Sequence, residues 1–297
     1  MRGISKGYIL VLTAVVFWAS QGTLGKLFMD AGVHPVTLAA TRILIGSFMF
    51  LLYILVTDPK SLHVNKADYL YFLYFGVCTI GILHFSLNYA IFYTGVATSS
   101  ILLYTAPAFV TLLSIFFFGE KPTWQRILAL TLTLLGCFFI IRSSQELNFN
   151  PLGVLLGILS GFSYGMWSIL GKKGLAKYSA AVLNFYNLFL GGLALLFAAL
   201  FIAGPESFKL STLTWGSITL MTLVNTFIPA ALYVSSMRYM AASKTSILAN
   251  IEVVVAVILS YIIFREAFTF FKILGFITIG AGLLLIMSED YKRKDAL

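Results

Sequence analysis

Residues that are costly to repeat by chance return in this chain after 146 positions. Leu24-Gly25-Lys26 recurs as Leu170-Gly171-Lys172, Ser100-Ile101-Leu102 as Ser246-Ile247-Leu248, and Phe118 and Glu120 as Phe264 and Glu266. Gly7, Leu10, Gly46, Tyr93 and Gly136 return as Gly153, Leu156, Gly192, Tyr239 and Gly282, with no gap in the register. Only 10% of the residues are charged, so the matched Lys and Glu positions weigh more than matched Leu or Gly. The sequence reads as a duplication, with one copy over 1–146 and a second over 147–297.

The solvent for this fold follows from composition. A chain of 297 residues that is 60% hydrophobic and 15% aromatic has too little polar surface to close as a water-soluble globule. Crossing about 30 Å of hydrocarbon takes about 20 apolar residues in a helix. Runs of that kind lie at 7–28, 35–57, 68–92, 96–118 and 122–141, and again at 152–173, 181–203, 212–237, 242–264 and 269–288. They are continuously apolar, whereas a barrel strand alternates polar and apolar over about ten residues. The expected fold is an all-α integral membrane protein with ten transmembrane helices in two five-helix repeats.

Five is odd, so the second copy must enter the membrane from the side opposite to the first. The repeats are expected to be inverted. Lys and Arg concentrate in cytoplasmic segments. With the N-terminus inside, Arg2, Lys6, Lys60, Lys66, Lys121, Arg126, Lys172, Lys173, Lys177, Arg238, Lys244, Lys292, Arg293 and Lys294 fall inside, against Lys26, Arg142, Lys209, Arg265 and Lys272 outside. Both termini are therefore expected in the cytoplasm of a prokaryotic-type cytoplasmic membrane. The net charge of +9 is accounted for by this topology, and no nucleic-acid partner is invoked.

Arg2 and Lys6 ahead of an apolar run resemble a signal peptide, but the run is longer than an h-region and has no A-x-A site. It is read as a retained first helix. Cys78 and Cys137 both lie in spans and offer neither a disulfide framework nor a metal site. The longest connection, Asp58 to Asp68, is too short for a domain. H-E-x-x-H does not occur, and Gly165 to Lys172 fails as a phosphate loop on its spacing and on Lys173. An enzyme, a nucleotide-driven pump, a cofactor and a bound metal are all unexpected.

Inverted repeats with polar residues between them are the architecture of secondary transporters, whose substrate sits near the midplane. The motifs sharpen this. Phe17-Trp18-Ala19-Ser20, then His34-Pro35 and Leu38-Ala39-Ala40-Thr41-Arg42, resemble the opening of the EamA-type branch of the drug/metabolite transporter superfamily. Ala106-Pro107 with Glu120, and Asn250-Ile251-Glu252 with Glu266, are similar to its paired motifs on helices 4 and 9. The chain departs from that pattern at Val253, where Pro is usual, and at Arg265, where Gly is usual. The resemblance spans the whole chain. It implies ten helices, a cavity shared by the halves, and movement of amino acids or related metabolites, often outward.

Arg42, His84 and Glu252 are the ionisable His, Arg and acidic residues placed well inside hydrocarbon. At 1.5 Å per residue, Glu252 is about 15 Å up helix 9 and Arg42 about 10 Å down helix 2. A mid-membrane charge costs about 2.5–3.5 kcal/mol on insertion scales, so each must face protein, water or a partner. Glu252 reads either as a proton-accepting or cation-binding carboxylate or as a paired group tying helix 9 to a neighbour. Arg42 reads as a brace on helix-end carbonyls or as a contact for a substrate carboxylate. His84 reads as a packing residue or a titrating one.

Trp18, Gln21, Asn88, Tyr104, Tyr164, Trp167, Asn225, Tyr233 and Asn250 form a second, neutral set of candidate substrate-binding residues. Tyr104 and Asn250 are equivalent under the 146-residue shift. On a continuous helix 9, Ser243, Ser246, Asn250, Val257 and Tyr261 share a face and Glu252 points about 200° away from Asn250. That face is expected to line the cavity, with Glu252 on a flank. For Trp18 and Trp167 an interfacial or core position is the competing reading.

Gly153, Gly157, Gly161 and Gly165 put a glycine at every fourth position of helix 6, a strip for internal packing or for a weak homodimer. Pro107 and Pro229 sit in helices 4 and 8 as points of bending. The expected function is secondary transport of small polar metabolites, most plausibly export of amino acids or their derivatives by alternating access, with protons as a possible coupling ion. A carrier of organic cations or amines is the alternative. A membrane enzyme or lipid scramblase is the reading from another class.

Overall fold

A computed structural model of the chain describes residues 2–142, 147, 149–264 and 269–294. Glu266 and Arg265, two landmarks of the sequence reading, lie outside the described residues, and so does the side chain of Lys26.

Every described element is helical. The first copy supplies α1 (Arg2–Ala19), α2 (Gln21–Asp30), α3 (Pro35–Thr57), α4 (Tyr69–Leu73), α5 (Ile82–Leu103), α6 (Ala106–Phe118) and α7 (Trp124–Arg142). The second supplies α8 (Pro151–Gly174), α9 (Ala180–Ile202), α10 (Thr212–Thr222), α11 (Ile228–Ser236), α12 (Ala242–Ala249), α13 (Ile251–Phe264) and α14 (Phe270–Lys294). Short polar residues start several of them. Asn150 accepts from the amides of Leu152 and Gly153 ahead of α8, and Ser179 from Val182 ahead of α9.

Eight helices among the described residues are long and apolar enough to cross a bilayer, and two shorter apolar ones, Ser5–Ala19 and Ala106–Phe118, accompany them. The sequence reading expects ten full spans. The difference has a local cause. The first helix is interrupted at Ser20 and the fourth at Tyr104–Thr105, while α5 runs on from the third helix through a turn at Gly95, whose φ of +77° suits a residue without Cβ.

Element boundaries repeat with the sequence. α6 ends at Phe118 and α13 at Phe264, while α7 begins at Trp124 and α14 at Phe270. Each copy also carries a π-turn, Tyr74–Gly81 between α4 and α5 and Leu223–Phe227 between α10 and α11, closing at equivalent positions. A wide turn of this kind frees backbone carbonyls, which must be satisfied in an apolar interior. Asn187 on α9 meets that need: its amide donates to the Phe75 carbonyl and to Thr79 Oγ1 at 2.9 Å. One turn earlier Asn184 donates to the carbonyl of Ala230 at 3.1 Å.

Across the copies, α3 packs on its counterpart α9 and α7 on its counterpart α14. The α7–α14 crossing is close because both sides are glycine: a Cβ on Gly136 would stand 2.8 Å from the Gly275 carbonyl oxygen. The glycine strip of α8 is used internally. Gly153 faces Tyr93 and Thr94, Gly157 and Gly161 face Leu102, and Gly165 faces Phe109. Pro107 occupies the first turn of α6, after the interruption at Tyr104–Thr105, where the missing N–H costs no helical hydrogen bond, whereas Pro229 follows the π-turn inside the continuous helical run Thr212–Ser236.

Candidate functional site

Between the copies lies an open cavity with about 690 Å3 of empty space, the solvent at its mouth included. Trp18 and Gln21 reach it from the break in the first helix, Arg42 and Ile43 from α3, and His84, Leu83 and Leu87 from α5. The second copy contributes Tyr164 and Trp167 from α8, Leu188 from α9, Ala230 from α11, and Asn225 and Thr226 from the π-turn. Ile80, Leu103 and Glu252 complete the wall. Neither α7 nor α14 contributes; their outward sides carry Ile127, Leu135, Ile277 and Leu284, all exposed.

Three ionisable groups meet this space. Arg42 is 6% exposed and makes no side-chain hydrogen bond or ion pair among the described residues. A guanidinium held this way has lost water without gaining a partner, and this cavity is where a ligand anion would restore one. His84 lines the same cavity. Glu252 Oε1 accepts from the Tyr104 hydroxyl at 3.4 Å, which leaves its second oxygen for another donor.

An aromatic group forms one side. Trp18 stands edge-on to Trp167 with ring centroids 6.0 Å apart, Trp167 stacks on Tyr233 at 4.9 Å, and Tyr164 lies 5.6 Å from Trp167. Tyr233 is wholly buried behind this layer, with its hydroxyl 2.8 Å from Ser168 Oγ. The indole Nε1 of Trp167, the amide oxygen of Asn225 and Thr226 Oγ1 are buried without a hydrogen-bond partner. The Asn225 amide nitrogen donates to the Phe17 carbonyl and to Ser20 Oγ at 2.7 Å, fastening the π-turn to the broken first helix.

Four sequence candidates stand outside the lining. Asn88 is half-buried one turn beyond His84 on α5, and Tyr233 lies in the second layer. Asn250 is buried and donates to the Tyr104 carbonyl at 3.3 Å, so the two equivalent residues join the interruptions of their two helices. The sequence reading turned Asn250 toward the cavity and Glu252 aside; the structure has Glu252 in the wall and Asn250 behind it. The reason is that helix 9 is broken at Asn250, so a single helical wheel cannot be carried through it. Thr226, Asn184 and Asn187 were absent from the sequence candidates. Two Asn three residues apart in an otherwise apolar run were the available signal for the latter pair.

One end of the bundle is closed by polar contacts. Glu120 Oε2 accepts from Arg126 at 3.0 Å and from Ser243 Oγ at 2.7 Å. Close by, Lys172 Nζ donates to the carbonyls of Met237 and, at 3.0 Å, Met240, which follow the end of α11. Among the described residues no cluster of His, Cys, Asp or Glu could hold a metal ion.

The profile of the EamA-like transporter family matches residues 5–142 and, again, residues 151–288. The chain belongs to the EamA-like transporter family. The two matches are offset by the same 146 residues as the internal repeat, and the chain is an integral membrane transporter of the drug/metabolite type. An Archaeoglobus fulgidus relative described as an uncharacterized transporter is 34% identical over 196 residues, 66% of this chain and 68% of its own. A Rickettsia conorii relative described as an S-adenosylmethionine uptake transporter is 25% identical over 267 residues, 86% of this chain and 83% of its own. A solved crystal structure shares the fold with a TM-score of 0.81 over 95% of this chain and 96% of its own, at 16% identity.

Proposed function

We propose that this EamA-family transporter carries small zwitterionic metabolites, amino acids or their derivatives, by alternating access between two inverted five-helix halves, residues 1–146 and 147–297. In this reading the interrupted first and fourth helices complete ten spans, and both termini are cytoplasmic. The Lys172 end then faces the cytoplasm and the Lys26 end the outside. Export is the direction expected when the metabolite accumulates inside.

The observation that carries the reading is the pair of under-satisfied charges in one cavity, Arg42 and Glu252. The Arg42 fork suits a carboxylate. Glu252, beside Trp18, Trp167 and Tyr164, suits an ammonium or other onium group, since the aromatic faces add cation–π attraction. The aromatic layer also favours the second reading, a carrier of organic cations. S-Adenosylmethionine, named for the Rickettsia relative, carries both kinds of charge. When no cargo is bound Glu252 is the group placed to take a proton, which would couple transport to a pH gradient.

Counterflow in proteoliposomes tests this. An α-amino acid panel should exchange, and matched analogues lacking either the carboxylate or the ammonium should exchange at least about tenfold more slowly, the value of one charged hydrogen bond. Arg42→Gln should remove the preference for the carboxylate, and Arg42→Lys should restore part of it. Glu252→Gln should keep exchange of cargo down its gradient and lose the response to an imposed pH gradient. Equal transport of zwitterions and onium compounds without a carboxylate would move the assignment to the organic-cation reading.

A further inference from the structure

The 146-residue shift maps part of the cavity wall onto itself. Arg42 corresponds to Leu188, His84 to Ala230 and Thr226 to Ile80, and both members of each pair line the cavity. The space therefore straddles the relation between the copies and has two corresponding corners.

One corner is built on α3. Gly46, one turn beyond Arg42, would bring a Cβ to 3.0 Å from Thr226 Cγ2, which sets the second π-turn beside the Arg42 face. α5 also packs on α3 and brings His84 to the wall. The other corner is built in the same way on α9. A Cβ on Gly191, three residues beyond Leu188, would lie 2.8 Å from Ile80 Cβ, which sets the first π-turn beside Leu188. Ala230 of α11 is held there by Asn184, one turn before Leu188, whose amide donates to the Ala230 carbonyl at 3.1 Å.

The corners correspond in backbone and are opposite in chemistry. Arg42, His84 and Thr226 are all polar, and Leu188, Ala230 and Ile80 are all apolar. A charged or amide side chain placed on the apolar three would lose water and gain no partner. Room is available there, because Ala230 stands where the first copy has the imidazole of His84.

We propose that the corner of Leu188, Ala230 and Ile80 is the side-chain subsite of the carrier: it takes the apolar side chain of an amino acid whose carboxylate is on Arg42, and Ala230 sets the length admitted. The inference rests on the carboxylate assignment made above and narrows the cargo to amino acids with apolar side chains. Glu252 remains the partner of the ammonium, so charge fixes the head of the cargo and the apolar corner reads its tail.

Counterflow by the full chain in proteoliposomes tests this with a graded series: alanine, 2-aminobutyrate, norvaline, norleucine and 2-aminooctanoate. In the parent, exchange efficiency should rise about fourfold per methylene until the corner is full. Ala230→Val should lower the norleucine-to-alanine ratio about tenfold, and Leu188→Ala should raise the 2-aminooctanoate-to-norleucine ratio about fourfold or more. Ratios taken within one preparation do not depend on how much of a variant folds. A parent with no dependence on length, or two variants with the parent's ratios, overturns the subsite even if zwitterions are exchanged and Arg42→Gln removes the carboxylate preference. Alkylamines of the same lengths separate the two claims: if they exchange as well as the amino acids and both variants still shift the length preference, the subsite stands and the carboxylate assignment falls. If Ala230→Val yields no folded protein, Leu188→Ala decides alone, and an unchanged length preference overturns the proposal.

Discussion

The helix that starts each half has the same plan and a different execution. In the second half α8 runs unbroken from Pro151 to Gly174 and lays glycines 153, 157, 161 and 165 against the end of α5 and the start of α6. The equivalent positions in the first half are Gly7, Val11, Val15 and Ala19, and that helix breaks at Ser20 into α1 and α2. Val11 and Val15 are fully buried, so side chains fill the space that glycine leaves to the neighbouring helix in α8. At the far ends, Gly171 and Lys172 are docked while Leu27 and Met29 of α2 are exposed. Sequence equivalence thus fixes which surfaces can dock, and the close-packed or interrupted backbone decides which of them does. The asymmetry is what the proposed alternating access would require of a carrier at one end of its cycle.

The largest effect that bears on this contrast should come from filling the undocked end. Gly25→Leu meets open space here, so folded yield should stay normal, but the added side chain would clash on closure. With overpacking at about 1–3 kcal/mol, exchange should fall by about tenfold or more, while cargo binding measured without turnover persists. Normal exchange by Gly25→Leu would mean that the α2 end never docks as the α8 end does.

A smaller effect is expected where the halves differ in packing. Gly161→Ala would bring a Cβ to 2.7 Å from the Leu102 carbonyl oxygen, a backbone contact that can relax only by moving α8. It should cost about 1–3 kcal/mol and lower the melting temperature in detergent. A neutral result would show that α8 is no more tightly held than α1.

The smallest concerns the loops at the Lys172 end, where Lys177 and Tyr178 both donate to Asp68 Oδ2. The Asp68 carboxylate holds the Lys177 ammonium above the usual lysine range. A raised folded-state value means that the contribution is complete below the ordinary lysine pKa of about 10.4 and is lost as pH rises through the higher folded value. The melting difference between the parent and Lys177→Met should therefore be small and flat from about pH 6 to 9, shrinking only above about pH 10. A difference that grows with alkalinity would contradict the pairing.

Much of this fold was legible because membrane helices announce themselves by continuous apolarity and because a duplication doubles each signal. The repeat even places Tyr104 and Asn250 together, 146 residues apart and bonded to each other. The interruptions at Ser20, Tyr104 and Asn250 were not legible, since none carries a Gly or Pro of its own and each is stabilised by residues distant in sequence. That is why the Asn250 face was misaligned. The charged wall of the cavity was readable from cost alone: Arg42, His84 and Glu252 stand out in hydrocarbon. The apolar wall, Ile80, Leu83, Leu87 and Leu188 among others, looks like any other lipid-facing or core position.

Paired spin labels at equivalent sites test the central claim that the two ends exchange roles. Leu27 with Leu213 spans the α2 end, and their equivalents under the 146-residue shift, Lys173 with Ala67, span the α8 end; all four are exposed. In liposomes with and without transported cargo, pulsed-dipolar distances should move oppositely, the first pair shortening in the population whose second pair lengthens. Two distances that change together, or that stay fixed while cargo is exchanged, would contradict alternating closure of the two ends.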